Sequence, residues 1–152
     1  MNDAAVGIAL SAHAFATLAM TGLIWFVQVV HYPLFRGVGE DRFVAYEREH
    51  ARRTTLVVAP LMLAELATAA TLAAVAFSSE RVDATLAVVG LALLAVVWGS
   101  TFGVQVPLHG RLSQRYNERD AVLLATTNWV RTGAWTGRGV VALLMLSGGT
   151  GA

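Results

Sequence analysis

Charged side chains leave long empty stretches along this chain. Between Ala4 and Phe35 there is no Asp, Glu, Arg or Lys. Thr54 to Ser79 holds one charge, Glu65; Ala84 to Leu108 holds none; Ala121 to Ala152 holds only Arg131 and Arg138. A helix needs about 20 apolar residues to cross a bilayer core. Four spanning helices are therefore predicted, at about 5–31, 54–78, 84–108 and 121–147. The first stretch lacks a basic leader and outruns the roughly 7–15 apolar residues of a signal peptide, so it reads as a retained span. The connection Ser78 to Asp83 is short enough to make spans two and three antiparallel neighbours. Asp41 can cap a cytoplasmic helical extension in loop 1 that reaches Arg53 and runs into span two. The predicted fold is all-α: an antiparallel up-down membrane four-helix bundle, one domain over residues 1–152.

Composition agrees with this pattern. Only 14% of the residues are charged and 56% are hydrophobic, against about a quarter charged in soluble domains. Without cysteine, disulfides, thiol nucleophiles and iron–sulfur clusters are excluded. A net charge of +1 gives no field for nucleic acid. Loop one carries Arg36, Arg42, Arg48, Arg52 and Arg53, loop three carries Arg111, Arg115 and Arg119, and loop two has only Arg81. The positive-inside rule then puts loops one and three in the cytoplasm of a multi-pass cell-membrane protein, with both termini outside. Trp25, Phe26, Tyr32, Phe35 and Tyr116 gather at the same ends, as interface aromatics do. Gly99/Gly103 and Gly133/Gly137 offer small-xxx-small surfaces for close helix contact, which also leaves a homo-oligomer open.

On a 3.6-residue wheel each span has one polar stripe. Span one aligns His13, Thr17, Gln28 and His31; the run into span two aligns Glu47, His50, Thr54 and Glu65; span three aligns Trp98, Thr101, Gln105 and His109; span four aligns Asn128, Arg131, Trp135 and Arg138. His31, His50 and His109 share one depth at the cytoplasmic helix ends, whereas Glu65 lies about 16 Å beyond Thr54, near mid-bilayer. A polar cavity facing the cytoplasm is the consequence. Charges inside a membrane cost at least about 2.5 kcal/mol each, which makes them functional candidates. Glu65 with Arg131 or Arg138 also has a plain structural reading, an interhelical ion pair, but one carboxylate cannot neutralise two guanidinium groups; depth leaves Arg138 closer to Glu65 and Arg131, nearer the histidines, facing the cavity. The surplus positive charge calls for an anionic or enolate-like ligand, a second carboxylate or a water-filled vestibule. His13 reads most simply as a hydrogen-bonded histidine, and Trp98, Trp129 and Trp135 as packing residues.

Glu47-x-x-His50 puts a carboxylate and an imidazole on one helical face. With His31 and His109 at the same depth, the set Glu47, His31, His50 and His109 is a competent metal shell for Fe, Cu or Zn. Haem held by His31 and His109, and chemistry with no cofactor, stand beside that reading. No serine nucleophile motif, Gly-rich phosphate loop or paired catalytic carboxylate is present.

VQVPLHGRL over residues 104–112, NWVRTGAWTGRGVVAL over 128–143 and HYPLF over 31–35 resemble the anthrone oxygenase-like family of small four-helix membrane proteins. That family ends its third helix in an N-V-P-L-N-x-x-L motif and carries N-x-x-R-T on its fourth. Pro107, Leu108 and Leu112 match the first motif; Asn128, Arg131 and Thr132 match the second. Gln105 and His109 stand where the family shows Asn, and Glu47-x-x-His50 and Arg138 are additions. The resemblance implies the four-helix fold and oxidation of a lipophilic aromatic substrate by dioxygen.

Three functions fit these residues. One is an integral membrane oxidoreductase or monooxygenase acting on a lipophilic aromatic or quinone-like substrate, metal-assisted or not. Arg131, Asn128, His109, Gln105 and Glu65 would be its catalytic groups, and Gln28, Trp135, Arg138 and Trp98 would line the substrate. A non-enzymatic binder of metal, haem or quinone, or a subunit of a larger membrane complex, is the second. A transporter component is the third, disfavoured because no inverted repeat or broken helix is evident. In every case the partners are the bilayer and a lipophilic small molecule, not nucleic acid.

Overall fold

A computed structural model of the chain describes residues 1–149; residues 150–152 of the expected domain lie outside the described residues. In stretches this apolar, backbone N–H groups find no competing side-chain or water partner, so the helical ladder satisfies them. Four helices result: α1 (Asp3–Gly37), α2 (Glu40–Ser78), α3 (Ala84–Leu112) and α4 (Glu118–Gly149). There is no strand among the described residues. By length and composition α1, α2 and α3 are apolar enough to cross a membrane. The stretch expected as a fourth span lies within α4, where Asn128, Arg131, Thr132 and Arg138 dilute the apolar run.

Polar side chains set the helix starts. Asn2 accepts from the Ala5 N–H (2.9 Å), Asp83 from Leu86 (2.9 Å) and Asn117 from Asp120 (3.1 Å), satisfying donors that have no intrahelical acceptor. The extension in loop 1 is one continuous helix with the second span, but its N-cap is Gly39; Asp41 lies in the first turn instead.

The helices form a four-sided bundle in which α1 packs on α2 and α4, and α3 on α4; the α2–α3 seam is the loosest side. Three apolar clusters are stacked along it. Leu10, Leu72 and Met145 belong to the one near the N-terminus, Met20, Met62, Val97 and Trp135 to the middle one, and Tyr32, Phe43, Leu108 and Leu124 to the one beneath loops one and three. The outer surface is apolar as well, with Ile8, Phe15, Leu56, Phe77 and Phe102 all more than half exposed. A soluble monomer rarely shows so much apolar surface.

One device recurs in α1 and α3. Each contains a five-residue π turn, Val27–His31 and Thr101–Gln105, ending two residues before a proline, Pro33 and Pro107. Proline has no N–H and its ring crowds the carbonyl four residues back; a π turn relieves this by inserting one residue into the ladder. The insertion also rotates the rest of the helix about its axis. Close packing at glycine occurs where only part of the sequence pattern pointed: a Cβ on Gly137 would come 3.2 Å from Leu93 Cδ1, and one on Gly139 3.2 Å from Thr21 Oγ1. Gly99, Gly103 and Gly133 meet nothing within 4 Å, so those three do not serve close contact within the bundle.

Candidate metal centre and cavity

Glu47 and His50, one turn apart on α2, face His109 near the end of α3. One ligand atom from each lies within 4.8 Å of the other two, close enough to hold a metal ion. Glu47 is fully buried; its Oε1 accepts from His109 Nδ1 at 2.5 Å, while its Oε2 is buried with no hydrogen-bond partner. An orphaned buried carboxylate oxygen is costly, and a cation between these three side chains would satisfy it. Two imidazoles and one carboxylate also make a chemically apt donor set.

The fourth expected ligand, His31, stands behind this group. Its Nε2 lies 2.9 Å from His50 Nδ1, which also has Thr54 Oγ1 at 3.1 Å. That geometry suits His31 as the acceptor that orients His50, leaving the far nitrogen of His50 for a ligand. A haem between His31 and His109 finds no room, because His50 packs against both rings, with centroids 4.3 and 5.5 Å away.

The group borders a cavity of about 570 Å³, within the range of small-molecule sites. His50, His109, Tyr32, Gln105 and Arg131 form its polar floor, and Met20, Val58, Met62, Trp98 and Phe102 supply apolar wall. The lining is mainly apolar, where the sequence had suggested a polar cavity. Around it, atoms are left without partners. Arg131 is buried and gives Nη1 to Asn128 Oδ1 (3.1 Å), but its Nε has no acceptor. Gln105 gives Nε2 to Thr127 Oγ1 (2.9 Å) with Oε1 unmatched, and Trp98 Nε1 is unmatched too.

Other expected site residues lie elsewhere. Glu65 and Arg138 form a buried ion pair (2.5 Å), flanked by Thr17 Oγ1 at 3.0 Å from Glu65 and by the Gly90 carbonyl, which accepts from Arg138 Nη1; Glu65 Oε2 and Arg138 Nη2 stay unmatched. Neither lines the large cavity. Trp135 is fully buried in the middle apolar cluster and does not line that cavity. Asn128 acts through its neighbours, giving Nδ2 to Gln28 Oε1 (2.8 Å) while Gln28 gives Nε2 to the Ala125 carbonyl (3.1 Å). Gln28 lines a separate cavity of about 230 Å³ between α1 and α4. His13, near the other end, has Thr68 Oγ1 at 3.0 Å from its Nδ1.

Tyr32 is the functional candidate that sequence reasoning missed. It is buried, lines both cavities, and has its hydroxyl 3.2 Å from His109 Nε2. Read alone it is one more interface aromatic; the signal that could have found it is its place between His31 and Pro33, where a helix distorts. No family model, no curated protein and no solved structure matches this chain.

Proposed function

We propose that this protein is a metal-dependent membrane oxygenase that oxidises a lipophilic phenolic or quinone-like substrate in the large cavity. One observation carries the reading: a two-histidine, one-carboxylate group, Glu47, His50 and His109, borders a ligand-sized cavity among whose lining residues Arg131 Nε, Gln105 Oε1 and Trp98 Nε1 lack partners. This donor set, leaving open positions, is the type that serves non-haem Fe(II) oxygenases. Iron bound there would supply dioxygen activation. The chain's own residues do the rest: Arg131 and Trp98 offer donors to a developing substrate oxyanion, Asn128 and Gln28 hold Arg131 in place, and the apolar wall excludes water. Electrostatic donors of this kind are worth about 3 to 4 kcal/mol each to a transition state. For a benzylic methylene the overall change balances with dioxygen alone: CH2 becomes C=O, one oxygen atom enters the product and the other leaves as water with the two hydrogens. The resemblance to the anthrone oxygenase-like family points to the same reaction class. The proposed orientation puts loops one and three in the cytoplasm, on eight arginines against one; cytoplasmic labelling of a tag on the C-terminal end would reverse it.

The decisive experiment is metal analysis of detergent-purified protein, followed by oxygen uptake with an anthrone-type probe after Fe(II) addition. Near-stoichiometric iron, absent from Glu47→Gln and His50→Ala, with uptake that depends on it, is the expected result. Iron binding without uptake for any phenolic probe would favour the non-enzymatic metal-binding reading. No iron, copper or zinc at all would end the metal proposal.

A further inference from the structure

Among the buried arginines of the described residues, Arg131 alone has no ionic partner. Arg138 is neutralised by Glu65, while Glu47 hydrogen-bonds His109 and belongs to the metal group. Arg131 hydrogen-bonds only the neutral amide of Asn128, is 6% exposed, and lines the cavity with its buried Nε unpartnered. A buried guanidinium stays charged and is costly to leave unpaired. Arg131 therefore has a place for one anionic partner.

The shape of the cavity supplies the second half. Its walls on α2 and α3 reach the outer surface along the loosest seam of the bundle: Leu63 and Phe102 line it and are each 58% exposed, and Val106 lines it at 50%. These residues belong to helices apolar enough to cross a membrane, so the slot between them opens sideways, at lipid depth.

We infer that the occupant is an amphiphile, one ionised oxygen head held by Arg131 inside the bundle and a long apolar tail lying out through the α2–α3 slot into the bilayer. This rests on the proposed function for the reaction and deepens it by naming the substrate class. The head chemistry, an anionic oxygen with a neighbouring hydroxyl or carbonyl for Gln105 and Trp98, comes equally from a long-tailed phenol or a long-chain carboxylate. Charge pairing with Arg131 selects the head; the slot selects the tail. The molecule reaches the site from the membrane rather than from water.

The test measures equilibrium binding to full-length protein in nanodiscs, with four probes: a prenylated phenol, the same phenol without its tail, a fluorescent long-chain fatty acid and a short-chain acid. Tailed probes should bind at least tenfold tighter than tail-less ones, and whichever head binds identifies the source. Arg131→Gln should weaken tailed-probe binding by roughly tenfold or more, as loss of a charged hydrogen bond does, with metal loading unchanged. Val106→Trp, which fills the slot from outside, should weaken tailed probes and spare tail-less ones. Circular dichroism and size-exclusion profiles verify folding, and Arg131→Lys, which keeps the charge, should retain part of the affinity. Equal binding with and without a tail, or no effect of both Arg131→Gln and Val106→Trp, would overturn the inference. Metal loading and oxygen uptake are read on the same samples. Tailed-probe binding without metal or uptake sinks only the oxygenase, and uptake with no preference for tails sinks only the amphiphile.

Discussion

Glu47 and Glu65 sit eighteen residues apart on α2, about five full turns, so one face of one helix carries both. Both are fully buried. Their partners differ. Glu65 meets a permanent cation, Arg138, with Thr17 and the Gly90 carbonyl beside the pair. Glu47 meets an imidazole, His109, which with His50 lines a cavity; each of the two carboxylates keeps one oxygen unmatched, so the partner and the cavity make the difference. The same residue type at the same burial is a structural tie in one place and an available ligand in the other. What decides is whether the partner's charge can be exchanged for a ligand's. Arg138 cannot give up its charge; His109 can accept a metal in place of its hydrogen bond to Glu47.

The largest effect expected from this contrast is on stability. Removing one member of a buried ion pair costs about 3–5 kcal/mol because the other charge is stranded. Glu65→Gln or Arg138→Met should therefore lower the unfolding midpoint in detergent sharply, and the double variant Glu65→Leu/Arg138→Met should recover most of the loss. Activity per folded molecule should survive in all three. Glu47→Gln should show the opposite profile, near-normal stability with metal and activity gone. If Glu47→Gln proves as destabilising as Glu65→Gln, both pairs are structural and the contrast fails.

Next in size is Arg131→Lys. The ammonium keeps the charge and loses the planar fork that addresses Asn128 and a ligand together. A drop in kcat of about 10² to 10³, corresponding to roughly 2.7–4 kcal/mol, is expected with folding intact. An unchanged kcat would mean that Arg131 is merely tolerated at the cavity edge.

Metal addition sharpens the same comparison from the ligand side. A ligand that binds only the folded state at 100 times its Kd stabilises by about 2.7 kcal/mol. Fe(II) or Zn(II) should therefore raise the melting temperature of wild type and of Glu65→Gln, measured by fluorescence, and leave His50→Ala where it was. A shift retained in His50→Ala would place the ion elsewhere.

Much of this layout was legible from periodicity. The rise of a helix put His31, His50 and His109 at one depth, and the period of α2 put Glu47, His50 and Glu65 on one face. Two things escaped it. The π turns break the wheel: Gln28 and His31 share a face at 3.6 residues per turn, yet the turn at Val27–His31 sends Gln28 to α4, where it meets Ala125 and Asn128, and His31 to α2, where it meets His50. Partner choice was legible from depth: Arg131, nearer the histidines, lines the cavity, and Arg138, about two turns further along, takes Glu65. Trp135 is the second thing that escaped, since it shares a stripe with Arg131 yet packs in the middle cluster without lining the cavity.

The smallest expected effect concerns His31, the histidine that periodicity would make a ligand and the geometry makes a support. Its Nε2 is positioned to accept a proton from His50 Nδ1, which fixes the His50 tautomer with its other nitrogen free. Partners of this kind typically change metal affinity by 10- to 100-fold, about 1.4–2.7 kcal/mol, when they are removed. His31→Ala should therefore weaken iron binding within that range while leaving the stoichiometry at one and the ligand-field spectrum nearly unchanged, because the same atoms still coordinate. His31→Gln, whose amide oxygen can still accept from His50, should recover part of the affinity. Titration of both variants with Fe(II) under anaerobic conditions separates the roles. Loss of binding altogether, or a spectrum showing one nitrogen ligand fewer, would make His31 a ligand after all and move the metal away from Glu47.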